Sequence, residues 1–213
     1  MRLTKFEHSA MLLEQTGARL FIDPGNFTTP ITEAVEVVAV VITHEHPDHW
    51  TPEQLRRIIA QSPEARILGP AGVAAAAAPE FEVEVVSPGD SVEVGPFTLR
   101  FFGGRHAVIH SSIPVIDNVG VLVNDGLFYP GDSFTVPEGV EVDTLAVPAG
   151  APWLKIGEVM DYLAEVKPRR SFPAHEMTLS VNGKNIHYDR IRTVTEQGGG
   201  TFYPLEPAES LDF

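Results

Sequence analysis

Cysteine is absent from all 213 residues. This excludes disulfides, thiolate nucleophiles and thiolate ligands, so any metal must be held by nitrogen and oxygen. Basic residues are scarce, with 15 Lys and Arg against 29 Asp and Glu and a formal net charge of -14. Such a balance argues against a nucleic-acid binder, because neutralising phosphates takes clustered Lys and Arg. The only basic doublets are Arg56-Arg57 and Arg169-Arg170. Bound divalent ions can still make a positive spot in an acidic protein, so the charge excludes long polyanions more firmly than small anionic substrates. Long hydrophobic runs are missing too: nothing approaches the roughly twenty apolar residues of a membrane span. The opening Met1-Arg2-Leu3-Thr4-Lys5-Phe6-Glu7-His8 lacks the apolar stretch of a signal peptide. A cytoplasmic location is the natural expectation. With no evident linker, the length suits one well-buried α/β domain over residues 1–213.

Against these absences stands one dense segment, Thr43-His44-Glu45-His46-Pro47-Asp48-His49-Trp50, directly after the apolar run Val37–Ile42. The run reads as a fully buried strand, which places the histidines where a strand leaves the core. Residues two apart on an extended segment share a face, so His44 and His46 can aim at one point. Pro47 interrupts the strand and lets Asp48 and His49 turn toward a second point. Two imidazoles followed by a carboxylate and a third imidazole suit a pair of borderline divalent ions better than one. A merely solvated turn would favour Gly, Asn and Ser.

Elsewhere the pattern is strand-rich at the start of each half, with helices further on. Met11 to Gln15 and Arg19 to Asp23 read as strands joined at Gly17. Thr51-Pro52-Glu53-Gln54 reads as a helix start, with Thr51 as cap, Pro52 in the first turn and Gln54 closing a capping box. The alanine run Ala74 to Ala78 reads as a short helix closed by Pro79. Further strands are expected near 66–69, 81–86, 91–94 and 97–103. Gly120 to Asn124 and Leu127 to Tyr129 form a second hairpin around Asp125-Gly126. A buried strand at Thr144 to Val147, a helix from about Ile156 to Val166 and a strand near 170–173 follow. The segment after Pro204 reads as an acidic surface tail. Each hairpin ends in an aspartate beside Pro and Gly, Asp23-Pro24-Gly25 in one and Pro130-Gly131-Asp132 in the other, a faint sign of internal duplication.

Other strand exits carry ligand-type side chains. Beyond a strand Phe97 to Phe102, Gly103-Gly104 leads to His106, with His110 as the alternative four residues on. Tyr129-Pro130-Gly131-Asp132-Ser133 ends one strand on a carboxylate, and Phe172-Pro173-Ala174-His175-Glu176 ends another on a histidine. A lone Asp or His at a strand end is commonly a turn former. Several strands each ending on one shifts that reading toward a site.

Taken together, His44-x-His46-x-Asp48-His49, then His106, Asp132 and His175, resemble the metallo-β-lactamase superfamily. Glu7-His8-Ser9-Ala10, Phe21-Ile22-Asp23-Pro24, Pro130-Gly131-Asp132-Ser133 and Phe172-Pro173-Ala174-His175 are similar to its lactonase-like branch, which includes ascorbate-6-phosphate lactonase. The resemblance covers essentially the whole chain. It implies a four-layer αβ/βα sandwich of two similar halves. It further implies that His44, His46 and His106 hold a first metal, Asp48, His49 and His175 a second, and that Asp132 bridges them. Since related branches carry a ligand His followed by Ser-Ser, as His110-Ser111-Ser112 does here, the third ligand of the first metal stays open between His106 and His110. His8 and Asp23 are expected beside the site, with Asp23 receiving the outer N–H of a ligand histidine.

The implied activity is hydrolysis of a small ester, lactone or phosphorylated sugar derivative by a metal-activated hydroxide, with Asp48 orienting it. Zinc is the expected metal, with manganese or iron as alternatives. The competing readings are a phosphodiesterase of the same fold, including phospholipid-cleaving relatives, iron-dependent redox chemistry, and a non-catalytic binding module. Phe27, Trp50, Phe134 and Trp153 are candidates for the walls of a substrate pocket or for core packing. Arg105, Lys155 and Lys184 are candidates to meet an anionic group or to be solvated loop cations, and His187 in a C-terminal helix is assigned no chemistry. The expected partner is a small molecule, with no nucleic acid and no membrane span, and a homo-oligomer is left open.

Overall fold

In the computed structural model, which describes residues 1–78 and 80–213, the first half of the chain forms strands β1 (Arg2–Lys5), β2 (Met11–Gln15), β3 (Ala18–Ile22) and β4 (Val37–Val41), helix α1 (Pro52–Ile59), strand β5 (Arg66–Gly69), helix α2 (Ala71–Ala77) and strand β6 (Glu84–Val85). The second half forms β7 (Ser91–Val94), β8 (Phe97–Arg105), β9 (Asp117–Val123), β10 (Leu127–Tyr129), β11 (Thr144–Pro148), helix α3 (Ile156–Val166), β12 (Arg170–Ala174), helix α4 (Val181–Gln197), β13 (Thr201–Phe202) and β14 (Ser210–Asp212). The expected end of the alanine helix at Pro79 falls outside the described residues.

The strands make two sheets, ordered β14-β1-β2-β3-β4-β5-β6 and β13-β12-β11-β10-β9-β8-β7. Read from β14 in one and from β7 in the other, both give three antiparallel pairings followed by three parallel ones. The duplication glimpsed in the two hairpins therefore extends over whole sheets, and the expected sandwich of two similar halves is what forms. The chain after Pro204 departs from the expected surface tail. Its last residues supply β14, which pairs with β1 in the register Arg2↔Asp212, Leu3↔Leu211 and Thr4↔Ser210.

Period-two alternation divides the apolar residues between layers. Leu13, Val41, Phe97, Phe101, Tyr129 and Phe172 fill the space between the sheets. Val40 and Ile42 point the other way, onto Leu55, Ile58 and Val73 of α1 and α2. On the outer face of the second sheet, Leu145 and Val147 meet Val159, Leu163 and Ile191 of α3 and α4. Helices thus cover both outer faces, as parallel strands buried on two sides require.

Two local differences from the sequence reading bear on the site. Thr51 does cap α1, accepting from the Gln54 backbone N–H at 3.2 Å. The Gln54 side chain turns inward instead of closing a capping box. It donates to the Thr28 and Thr29 carbonyls and accepts from Ile31 N–H, pinning the loop after β3. The other difference lies in β8, which does not stop at Phe102 but runs through Gly103 (φ 85°) and Gly104 (φ 130°) to Arg105. A Cβ on Gly103 would stand 2.5 Å from Thr135 Oγ1, so the strand crosses the loop after β10 only where a side chain is missing.

Candidate metal centre

Within each sheet, strands two apart in an antiparallel ladder run in the same direction, so β1, β3 and β4 end at one edge, as do β8, β10 and β12. His8 follows β1, Asp23 follows β3, and His44, His46, Asp48 and His49 follow β4. From the second sheet, His106 follows β8, Asp132 follows β10 and His175 follows β12. Three of these residues sit in left-handed backbone, His8 (φ 63°), Asp23 (φ 47°) and His175 (φ 60°). That conformation costs a non-glycine residue about 1 kcal/mol, and here it turns the side chain sharply off the end of its strand.

The side chains form two groups in which every potential ligand atom lies within 4.8 Å of the others: His44, His46, His106 and Asp132, and His8, Asp48, His49 and His175. Asp132 lies between them. One carboxylate oxygen is 3.3 Å from His106 Nε2, 3.2 Å from His175 Nε2 and 4.0 Å from His44 Nε2, while the other is 3.3 Å from His49 Nε2. Asp48 Oδ2 is 3.1 Å from His8 Nε2 and 3.4 Å from His175 Nε2. The His8 ring lies on that of His175 with centroids 3.8 Å apart, so His8 belongs to the cluster itself.

Outward hydrogen bonds fix the rings. His49 Nδ1–H donates to Asp23 Oδ2 at 2.6 Å, His106 Nδ1–H to the Ala107 carbonyl at 2.6 Å and His175 Nδ1–H to the Gly150 carbonyl at 2.7 Å. The Thr43 hydroxyl donates to Asp23 at 2.6 Å, which leaves its lone pair for His44 Nδ1–H at 3.1 Å. Each arrangement directs an Nε2 lone pair inward, the orientation metal-ligating histidines take. His46 instead turns Nδ1 inward, 3.0 Å from His44 Nε2.

Several of these inward atoms are buried and have no hydrogen-bond partner: His49 Nε2, His106 Nε2, His175 Nε2 and Asp132 Oδ1. Polar atoms without partners so close together are costly unless a cation, a proton or a metal ion, satisfies them. The donor set, all nitrogen and oxygen, therefore fits divalent ions.

The electrostatics show the same demand for positive charge. Burial would raise both carboxylates, yet Asp48 is held well below the usual range by its bonds to His175 and His8. Asp132 is held there by the charge of His175 and His49. Burial would also strip His49 of its proton, but Asp132 and Asp23 hold it up at about 9. His175 is likewise raised, against its burial, by Asp132 and Asp48. His44 and His46 have no comparable compensation, and burial together with neighbouring histidines pushes both down. His8 is lowered to about 4 by burial, which outweighs its bond to Asp48.

Of the two histidines left open, His106 lies in the cluster. His110 is exposed and its Nδ1 accepts from Ser112 within its own turn. His187 donates to the Ala149 carbonyl from α4. Trp50 packs in the core beneath α1, whereas Phe27 sits edge-on to His8 at 4.8 Å and is 44% exposed. Three contributors were not singled out from sequence as parts of the site's scaffold. Thr43 links Asp23 to two histidines, Trp153 Nε1–H donates to Asp132 Oδ2 at 2.8 Å, and Asn118 accepts the Asp132 backbone N–H at 2.9 Å. The place of Thr43 at the head of the histidine segment was a usable signal. Asn118, inside an apolar strand, offered only its polarity.

Residues 2–175 match the family described as the beta-lactamase superfamily domain. The chain is 38% identical over 215 residues to Protein Rv0786c of Mycobacterium tuberculosis, covering 99% of this chain and 98% of that one. It is also 31% identical over 150 residues to a UPF0173 metal-dependent hydrolase of Aeropyrum pernix, covering 62% and 61%. Among solved structures it resembles Igni18, a metallo hydrolase of the archaeon Ignicoccus hospitalis, with a TM-score of 0.74 at 17% identity over 100% of this chain and 98% of that one. Sequence match, sheet order and the pair of His/Asp groups at one sandwich edge agree: this chain belongs to the metallo-β-lactamase superfamily.

Proposed function

We propose that the chain is a binuclear metal-dependent hydrolase of the lactonase-like kind, acting on a small ester, lactone or phosphorylated sugar-type substrate. The observation that carries this reading is the pair of ligand groups meeting at one buried carboxylate, Asp132. In it His44, His46 and His106 would hold one ion and Asp48, His49 and His175 the other, with Asp132 lying between the two groups. Two divalent ions, zinc foremost, would there lower the pKa of a water and take up charge developing on the substrate oxygen.

The chain's own residues supply the remaining work. The Asp48 side chain is 23% exposed where that of Asp132 is 4%, so Asp48 is the carboxylate that reaches the reacting species. Held as an anion, it accepts a hydrogen bond from the attacking water and orients it. Water oxygen bonds to the carbonyl carbon, the bond to the leaving oxygen breaks, and the leaving group receives the water's proton. His8 holds the Asp48 carboxylate in direction, Trp153 holds Asp132, and the Asp23–Thr43 pair holds His44 and His49.

Metal analysis joined to a screen of lactones, esters and phosphodiesters tests the reading. Two ions per chain and metal-dependent turnover lost in Asp48→Ala are expected. A chain that binds no metal at neutral pH, or an Asp48→Ala variant with full activity, would overturn it. His106→Ala should lose about one ion, while His110→Ala keeps both and retains activity.

A pH-linked result follows from the same assignment. In the metal-free chain His49 (about 9) and His175 (raised) carry protons at pH 7, and ligation requires them neutral. Filling the site at pH 7 should therefore release about two protons, and affinity should fall as pH is lowered. Calorimetry in phosphate and in Tris reads this directly. Identical apparent enthalpies, corrected for the buffers' metal affinity, would remove His49 and His175 from the ligand set.

A further inference from the structure

A groove lies beside the metal centre, along the segments after β8, β10 and β11. Its walls are Ala107, Val108, Ile109, Phe134, Trp153 and Leu154. At the inner end, Trp153 bonds Asp132 and its ring lies 6.0 Å from that of His106, while Ala107 N–H donates to the Asp132 carbonyl at 2.8 Å. Phe134 stacks on both Trp153 and Tyr162, at 5.2 and 5.4 Å, which makes the floor a rigid aromatic stack. At the rim Val108 is 63% exposed. The charged residues of the lining, Lys155 and Glu158, are paired with each other at 3.4 Å.

With the metal ions engaged at the reacting carbonyl, a phosphate elsewhere on the substrate would need a fixed, unspent cation of the chain beside the centre. The three candidate cations from the sequence each have a partner: Lys155 has Glu158, Lys184 has Glu206 at 3.3 Å, and Arg105 donates to the Val115 carbonyl at 3.4 Å. The buried Lys5 is bound to Glu176 at 2.6 Å. A sugar would need side chains able to bond hydroxyls, and the groove walls beside His106 are hydrocarbon. We infer that the groove takes the apolar acyl chain of an uncharged ester or lactone. This rests on the hydrolase reading and narrows its substrate class.

The experiment uses the metal-loaded chain and p-nitrophenyl acetate, butyrate and octanoate, which share a leaving group and differ only in the acyl chain. Burying methylenes in the groove should raise kcat/KM about two- to fourfold each over the first few carbons. Val108→Asp and Leu154→Asp should each lower the octanoate-to-acetate ratio at least about tenfold. Val35→Asp, an exposed site before β4 and so at the opposite edge of the sandwich, should leave the ratio unchanged. Far-UV circular dichroism confirms that each variant is folded. Metal-dependent hydrolysis with no chain-length dependence, or turnover of phosphorylated sugar lactones in preference to acyl esters, overturns the groove assignment and leaves the hydrolase standing. Absence of metal-dependent turnover on every substrate defeats both.

Discussion

Asp132→Ala should cut kcat/KM by about 10^3-fold or more and leave the chain unable to hold two ions. Loss of an outer hydrogen-bond partner of a ligand costs about 10- to 100-fold in affinity or activity. Asp132 does more than support one ligand, because its two oxygens face His44, His49, His106 and His175 within 4.0 Å. Asp132→Asn separates charge from shape: the amide oxygen can still accept from Trp153 Nε1–H, and the backbone bond to Asn118 is untouched. Its loss should approach that of alanine, because the anion is what the surrounding imidazoles lack. Proton release on metal binding should also fall below the wild-type value, since His49 and His175 keep their protons largely through this carboxylate. Metal titration with an activity assay decides it, and a fully active, two-ion Asp132→Asn would break the binuclear assignment.

A single methyl group should do comparable damage at Gly25. A Cβ built there stands 1.9 Å from the Asp48 carbonyl oxygen, 2.1 Å from its carbon and 2.6 Å from His49 N. All three are backbone atoms, so no side chain can swing aside. The neighbouring Asn26 N–H already bonds the Pro47 carbonyl at 2.8 Å, which clamps the loop after β3 onto the metal-ligand segment. Gly25→Ala should therefore cost about 3 kcal/mol, a fall in Tm of about 6 to 12 °C for a chain of this size. The Asp48–His49 pair should be displaced at the same time, weakening metal binding. Gly157→Ala is the control: nothing lies within 4 Å of its Cβ position, and α3 gains helix propensity. Thermal melts with and without metal separate the two, and a Gly25→Ala melt matching wild type would show that the loop yields more easily than its contacts imply.

The parts legible in the sequence were those whose signal is local. His44 to His49 are contiguous and follow a buried run, so both strand end and ligand type could be read together. Asp132 and His175 stood out because each closes an apolar strand. Signals that depend on distant chain were hidden. Gln54 has the spacing of a capping box, but the unsatisfied backbone of residues 28–31 competes for its amide and wins. His8 is expected beside the site from sequence, but its contact with His175 is not: its left-handed backbone and the 2.9 Å bond from His175 N–H to its carbonyl bring the two strand ends together. His106 and His110 are nearly equivalent along the chain, and what separates them is that β8 runs on through its glycines to Arg105. The short strands β1 and β14 carry little apolar pattern of their own, and each is stabilised as a strand by a partner at the other end of the chain.

That last pairing has a kinetic consequence. Thr4 and Ser210, which share a hydrogen bond at 3.0 Å, lie 206 positions apart. During synthesis β1 emerges long before its outer neighbour exists, so the first sheet must wait with one edge of backbone donors and acceptors open. Contacts of such sequence separation slow folding, and the nascent first half is at its most aggregation-prone while the second is still being made. Residues 204–213 therefore act as a closing stitch: removing them would leave the site's ligands in the chain but expose an edge that recruits other half-made copies.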